Sequence, residues 1–107
     1  MNTTIATKQA YCCADISNYT HWQLYSTTGI TMNIDTKNCS FNSTPYYFTS
    51  VTGAGYHWVL AGYTAIYFST NISFTIYAYP LATMTNAAML TTSQTSKWNI
   101  NWFGISY

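Results

Sequence analysis

The sequence predicts an all-β domain, an antiparallel, six- to seven-stranded β-sandwich. Three observations lead there. Apolar and polar residues alternate at period two along most of the chain, turn residues punctuate these runs at short intervals, and aromatic and β-branched residues dominate inside them. The 107 residues suffice for a single core, so the chain is read as one domain, 1–107, with residues 1–19 as an N-terminal arm.

Beyond the arm, WQLY (22–25) and ITMNID (30–35) set Trp22 with Leu24, then Ile30, Met32 and Ile34, against polar neighbours. The intervening STTG ends in Gly29 and is a turn signal, so these two runs form a hairpin. TKNCSFNST is loop-like, and Pro45 opens PYYFTSV, a strand rich in aromatics. After the flexible TGAG (52–55), YHWVLAGYTAIYFS is expected to make two strands broken near Ala61 and Gly62. SFTIYAY then places Phe74, Ile76 and Ala78 on one face and Thr75, Tyr77 and Tyr79 on the other, until Pro80 stops it. A helix can nucleate around Ala87–Leu90, but the Thr-rich flanks of residues 81–95 argue for a loop or another strand. The last strand spans about Lys97 to Tyr107, with Trp98, Ile100 and Trp102 in the core and Asn99 and Asn101 facing away.

Charge is scarce: three lysines, two aspartates (Asp15 and Asp35), and neither arginine nor glutamate. That excludes the basic footprint of a nucleic-acid partner. The weakly polar run Trp58–Phe68 is too short for a bilayer, so no membrane insertion is expected. Polarity comes from 29 Ser and Thr, nine Asn and 11 Tyr, a surface suited to secreted, appendage or virion proteins. Met1–Tyr11 lacks the basic start and apolar stretch of a signal peptide, so either a signal has been removed or export follows another route, such as lysis. Five Asn-x-Ser/Thr sequons, at Asn2, Asn18, Asn38, Asn42 and Asn71, fit a secreted glycoprotein.

Of the three cysteines, a Cys12–Cys13 bond would be strained, which leaves Cys39 bonded to one of that pair and the other sulfur free to cross-link subunits. Three reduced thiols are the alternative.

Catalysis is not expected, for want of groups. No HExxH, CxxC pair or carboxylate cluster supports a metal, no GxSxG elbow supports a serine nucleophile, and nothing in their surroundings pairs Asp15 with Asp35. No cofactor is implied.

Binding chemistry is better represented. A flat ring offers a stacking surface to the C–H face of a sugar, and Asn, Asp, His or Tyr beside it fixes the hydroxyls. Candidate ligand residues are Tyr56, His57 and Trp58 after the Gly-rich loop, Tyr77 and Tyr79 on the polar face of their strand, and Asp35 beside a loop. Each has a competing role. A tryptophan in a β domain usually packs, and an Asp before a loop often holds its turn.

Phe41 and Pro45 before a strand, the run IYFSTNISF (66–74), the terminal WNINWFGISY (98–107) and HWQLYS (21–26) together resemble the H-type lectins, the snail-agglutinin-like family. The resemblance spans about 85 residues. It implies a six-stranded antiparallel sandwich assembling as a trimer or as stacked trimers, with sugar sites in clefts between neighbouring subunits. Two of the family's pocket features are missing: an arginine, and a Trp-His pair where this chain has Pro80-Leu81-Ala82. The family's cysteine near that strand is replaced by Ala78.

The expected function is therefore non-enzymatic carbohydrate recognition by an extracellular or surface oligomer, with glycans or glycoproteins as partners. The alternative is a structural subunit that assembles with its own copies into a filament, coat or virion fibre.

Overall fold

The computed structural model describes residues 9–107. Its strands are β1 (Tyr11–Ser17), β2 (Gln23–Tyr25), β3 (Gly29–Asp35), β4 (Tyr46–Thr52), β5 (Leu60–Ala61), β6 (Ser73–Pro80) and β7 (Asn99–Ser106), with one α-helix, α1 (Asn86–Thr95), among the described residues. They form two antiparallel sheets, ordered β1-β7-β4 and β2-β3-β6-β5.

Alternation decides which face each strand buries. In the four-stranded sheet Ile30 pairs with Ala78, Met32 with Ile76 and Ile34 with Phe74, and all six side chains are buried. In the three-stranded sheet Ile100, Trp102 and Tyr47, with Trp98 just before β7, are buried toward the same centre. The two sheets meet there through rings: Tyr47 lies 4.3 Å from Phe74, and Phe74 lies 6.2 Å from Trp102, centroid to centroid. Burying each such side chain contributes about 1.5–3 kcal/mol. The two-sheet, sandwich-like architecture is thus the one the alternation predicts.

The hairpin of β2 and β3 forms as expected, with Tyr25 opposite Gly29 and Ser26 in the left-handed region at φ 51°. Gly29 is required there because a Cβ would collide with the carbonyl oxygen of Ala78. β7 is the central strand of its sheet, and Trp98, Ile100 and Trp102 occupy the core as the sequence implies.

Three expectations need correction. Of the supposed N-terminal arm, residues 1–8 lie outside those described, but Tyr11–Ser17 is a strand paired along its whole length with β7. It is an edge strand with a single buried residue, Ser17, and so carries no apolar period. Residues 86–95 are helical rather than extended. Thr85 caps the helix by accepting the Ala88 N–H, Met89 and Ser93 are buried one turn apart, and the Ser93 hydroxyl is satisfied by the Leu90 carbonyl. Finally, residues 56–69 do not make two full strands. His57–Val59 is a 3₁₀ turn, β5 has two residues, and Tyr67 then makes an isolated bridge to Thr75.

Cys13 and Cys39 form a disulfide, Cα atoms 5.8 Å apart, and Cys12 is an exposed free thiol. No helix among the described residues is long and apolar enough to cross a membrane.

Candidate functional site

The outer face of the four-stranded sheet carries a row of rings. β6 is buried on one side only, so Thr75, Tyr77 and Tyr79 face outward. Strand pairing places Tyr25 across Gly29 from Tyr79, and the bridge at Thr75 brings in Tyr67. Tyr77 lies between its neighbours, 4.6 Å from Tyr25 and 5.0 Å from Tyr67, and Tyr67 is 6.3 Å from Phe68. Tyr25, Tyr67, Phe68 and Tyr79 are all exposed, so the row is open to solvent. Gly62, at φ +92°, lets the chain pass beside Tyr79, and a Cβ there would meet the Tyr77 carbonyl oxygen at 3.0 Å.

Where β2 begins and β1 comes alongside, a polar cleft of about 490 Å³ opens. Asp15, His21, Gln23, Asn33 and Asp35 line it, with Trp102 at its floor. Asn33 joins the cleft to the aromatic row, since its side-chain oxygen accepts the Thr75 hydroxyl at 2.7 Å and Thr75 neighbours Tyr77. Both carboxylates are anchored locally. Asp15 Oδ1 accepts the Ile16 N–H and Asp35 Oδ1 accepts the Lys37 N–H, each at 2.8 Å. Their Oδ2 atoms have no hydrogen-bond or ionic partner among the described residues. Both aspartates are exposed.

Of the candidate ligand residues, Tyr77 and Tyr79 lie on the row and Asp35 in the adjoining cleft, where it also holds the turn at Lys37. Tyr56, His57 and Trp58 are elsewhere, on the turn before β5, and no ring contact links them to the row. Their side chains diverge. Trp58 is 81 % exposed, contrary to the packing role usual for a tryptophan, while His57 turns its Nδ1 inward, where it is buried without a hydrogen-bond partner. That nitrogen sits 3.4 Å from where a Cβ on Gly53 would be, against the loop after β4.

Sequence reasoning missed Tyr25, Tyr67, Asp15 and His21. Tyr25 follows Leu24 on the alternating hairpin strand and could have been placed on the outward face by parity alone. Nothing local marks the others, whose proximity depends on register and on the position of β1. Among the described residues, no group of three or more His, Cys, Asp or Glu side chains is arranged to hold a metal. The described sequons, Asn18, Asn38, Asn42 and Asn71, are all exposed; Asn18 also caps the turn at Thr20, and Asn71 donates to the Phe41 carbonyl.

No family model matches the chain, and no curated protein matches it in sequence.

Proposed function

We propose that the chain is a non-enzymatic, lectin-like carbohydrate-recognition domain, related in fold to the H-type lectins and acting outside the cell or on a surface. The observation that carries this reading is the row Tyr25–Tyr77–Tyr67 joined, through the Thr75–Asn33 hydrogen bond, to a cleft of Asp, Asn, Gln and His side chains. Stacked rings supply the apolar contact for a sugar's C–H face, and the cleft supplies acceptors and donors for its hydroxyls. The Cys13–Cys39 disulfide suits an oxidising location. Weak single-site binding of this kind gains from several linked sites, which is why an oligomer is part of the proposal.

The test is a glycan array read with wild-type protein and with Tyr25→Ala and Tyr67→Ala. Both rings are exposed, so the variants should melt close to wild type while losing at least about tenfold in glycan affinity, the scale of one lost ring stack. Undiminished binding by both variants would move the site elsewhere.

A second reading, a self-assembling structural subunit, is favoured by the other sheet. Its outer face exposes Ile16, Tyr46, Phe48 and Phe103, with Phe48 and Phe103 stacked at 5.0 Å. Cys12 lies on the same strand face as Ile16, and none of these outward positions is charged. Light scattering on Phe48→Ser against wild type tests it: a fall from oligomer to monomer supports the face as an interface between copies, and a wild-type monomer rules it out.

A further inference from the structure

We infer that the site selects amino sugars with a free, protonated amine over their N-acetylated and acidic counterparts, an inference that rests on the carbohydrate reading above. The sequence contains two carboxylates in all, Asp15 and Asp35, and both line the cleft that Asn33 joins to the tyrosine row. They come from different sheets, twenty positions apart, so no local motif puts them together.

In each, a backbone N–H fixes Oδ1 and leaves Oδ2 without a partner among the described residues. Neither Lys37 nor Lys97 lines the cleft. Among the described residues no lysine offsets the two negative charges within it, and the remaining lining is amide, hydroxyl and imidazole with the apolar Ile16 and Trp102.

An ammonium group entering such a cleft gains charge-assisted hydrogen bonds that a neutral hydroxyl or acetamide cannot make, and these are about twice as strong as neutral ones. A carboxylate or sulfate entering it meets like charge, with no lysine of the described residues lining the cleft to offset the repulsion. The row of rings, Asn33 and Thr75 serve every sugar alike, so the discrimination falls to Asp15 and Asp35.

The experiment titrates the protein at near-neutral pH with three probes: a β-1,4-linked glucosamine hexamer, which is cationic there, its fully N-acetylated form, and an oligogalacturonate. Binding should be about tenfold tighter for the glucosamine hexamer than for the acetylated one, the factor given by one additional charge-assisted contact. That advantage should vanish in Asp15→Asn/Asp35→Asn and shrink in high salt, while the acetylated hexamer, which loses hydroxyl acceptors but no charge-assisted contact, should weaken by less than the glucosamine hexamer. Tyr25→Ala should weaken both.

If the acetylated hexamer or the oligogalacturonate binds best, the inference fails and the carbohydrate reading stands. A lysine hexapeptide that binds as tightly as the glucosamine hexamer also overturns it, because charge alone would then be recognised. If no glycan binds, either among these probes or across the array, the carbohydrate reading fails with it.

Discussion

The Trp22 indole N–H donates to the Trp98 carbonyl at 2.9 Å, joining residues 76 positions apart across the buried end of the domain. Trp22 is 3 % exposed and Trp98 is fully buried, and the Trp98 indole in turn holds the Gly55 carbonyl at 2.8 Å. One pair of rings thus fixes the entry to β2, the entry to β7 and the loop after β4. Replacing Trp22 with Phe keeps most of the apolar volume but orphans the carbonyl. The expected loss is about 1–3 kcal/mol, read from the urea midpoint at unchanged slope.

The disulfide links residues 26 apart in sequence, tying β1 to the turn after β3. Loop-closure entropy assigns a cross-link of this span roughly 3–4 kcal/mol. Reductant, or Cys13→Ser, should lower the melting temperature by at least ~10 °C in a domain of this size. Cys12→Ser should leave it unchanged, because that thiol is exposed and free.

Tyr47 anchors the two sheets through its hydroxyl, which contacts the Thr36 hydroxyl at 2.7 Å and donates to the Thr70 carbonyl at 2.8 Å. Burial raises its pKa above the usual 10.0, with the Thr36 hydrogen bond acting weakly in the opposite sense. The folded state therefore resists the deprotonation that the unfolded chain accepts. The contribution of Tyr47 is whole below about pH 10 and is lost as pH climbs through the raised, folded value. Alkaline titration followed by tyrosinate absorbance should show one late-titrating tyrosine coincident with unfolding. Tyr47→Phe should remove that late step and cost about 1–3 kcal/mol at neutral pH.

Gly104 sits beneath Phe41 and Pro45. A Cβ at that position would lie 2.8 Å from the Phe41 Cζ and 3.2 Å from the Pro45 Cγ. Gly104→Ala should destabilise by about 1–3 kcal/mol, through overpacking rather than through backbone freedom. The companion variant Phe41→Leu should return part of that loss, and a double-mutant cycle on melting midpoints would measure the coupling.

Strands buried on one full face were legible. β3, β6 and β7 each place alternate residues in the core, and their period stands out in ITMNID, SFTIYAY and WNINWFGISY. β1 was not legible because an edge strand that buries just Ser17 has no period to display. The helix was obscured by its threonines, which lower intrinsic propensity; tertiary contacts at Met89 and Ser93 override that, and the Thr85 cap is its one local signal. The site divides the same way. Tyr77 and Tyr79 follow from parity on a single strand. Tyr67 reaches the row through a lone bridge, and Asp15 reaches Asp35 through sheet placement, neither of which leaves a trace in spacing.

The order β1-β7-β4 also governs the sequence of assembly. β1 and β4 touch no strand in their sheet except β7, so both must wait for a partner that is synthesised last among the described strands. The hairpin of β2 and β3, with β6, can pair as soon as residue 80 has emerged from the ribosome. A nascent chain would therefore carry its ring-bearing sheet first while the apolar edges of the other stand open, and that interval is when premature association with other chains is most costly.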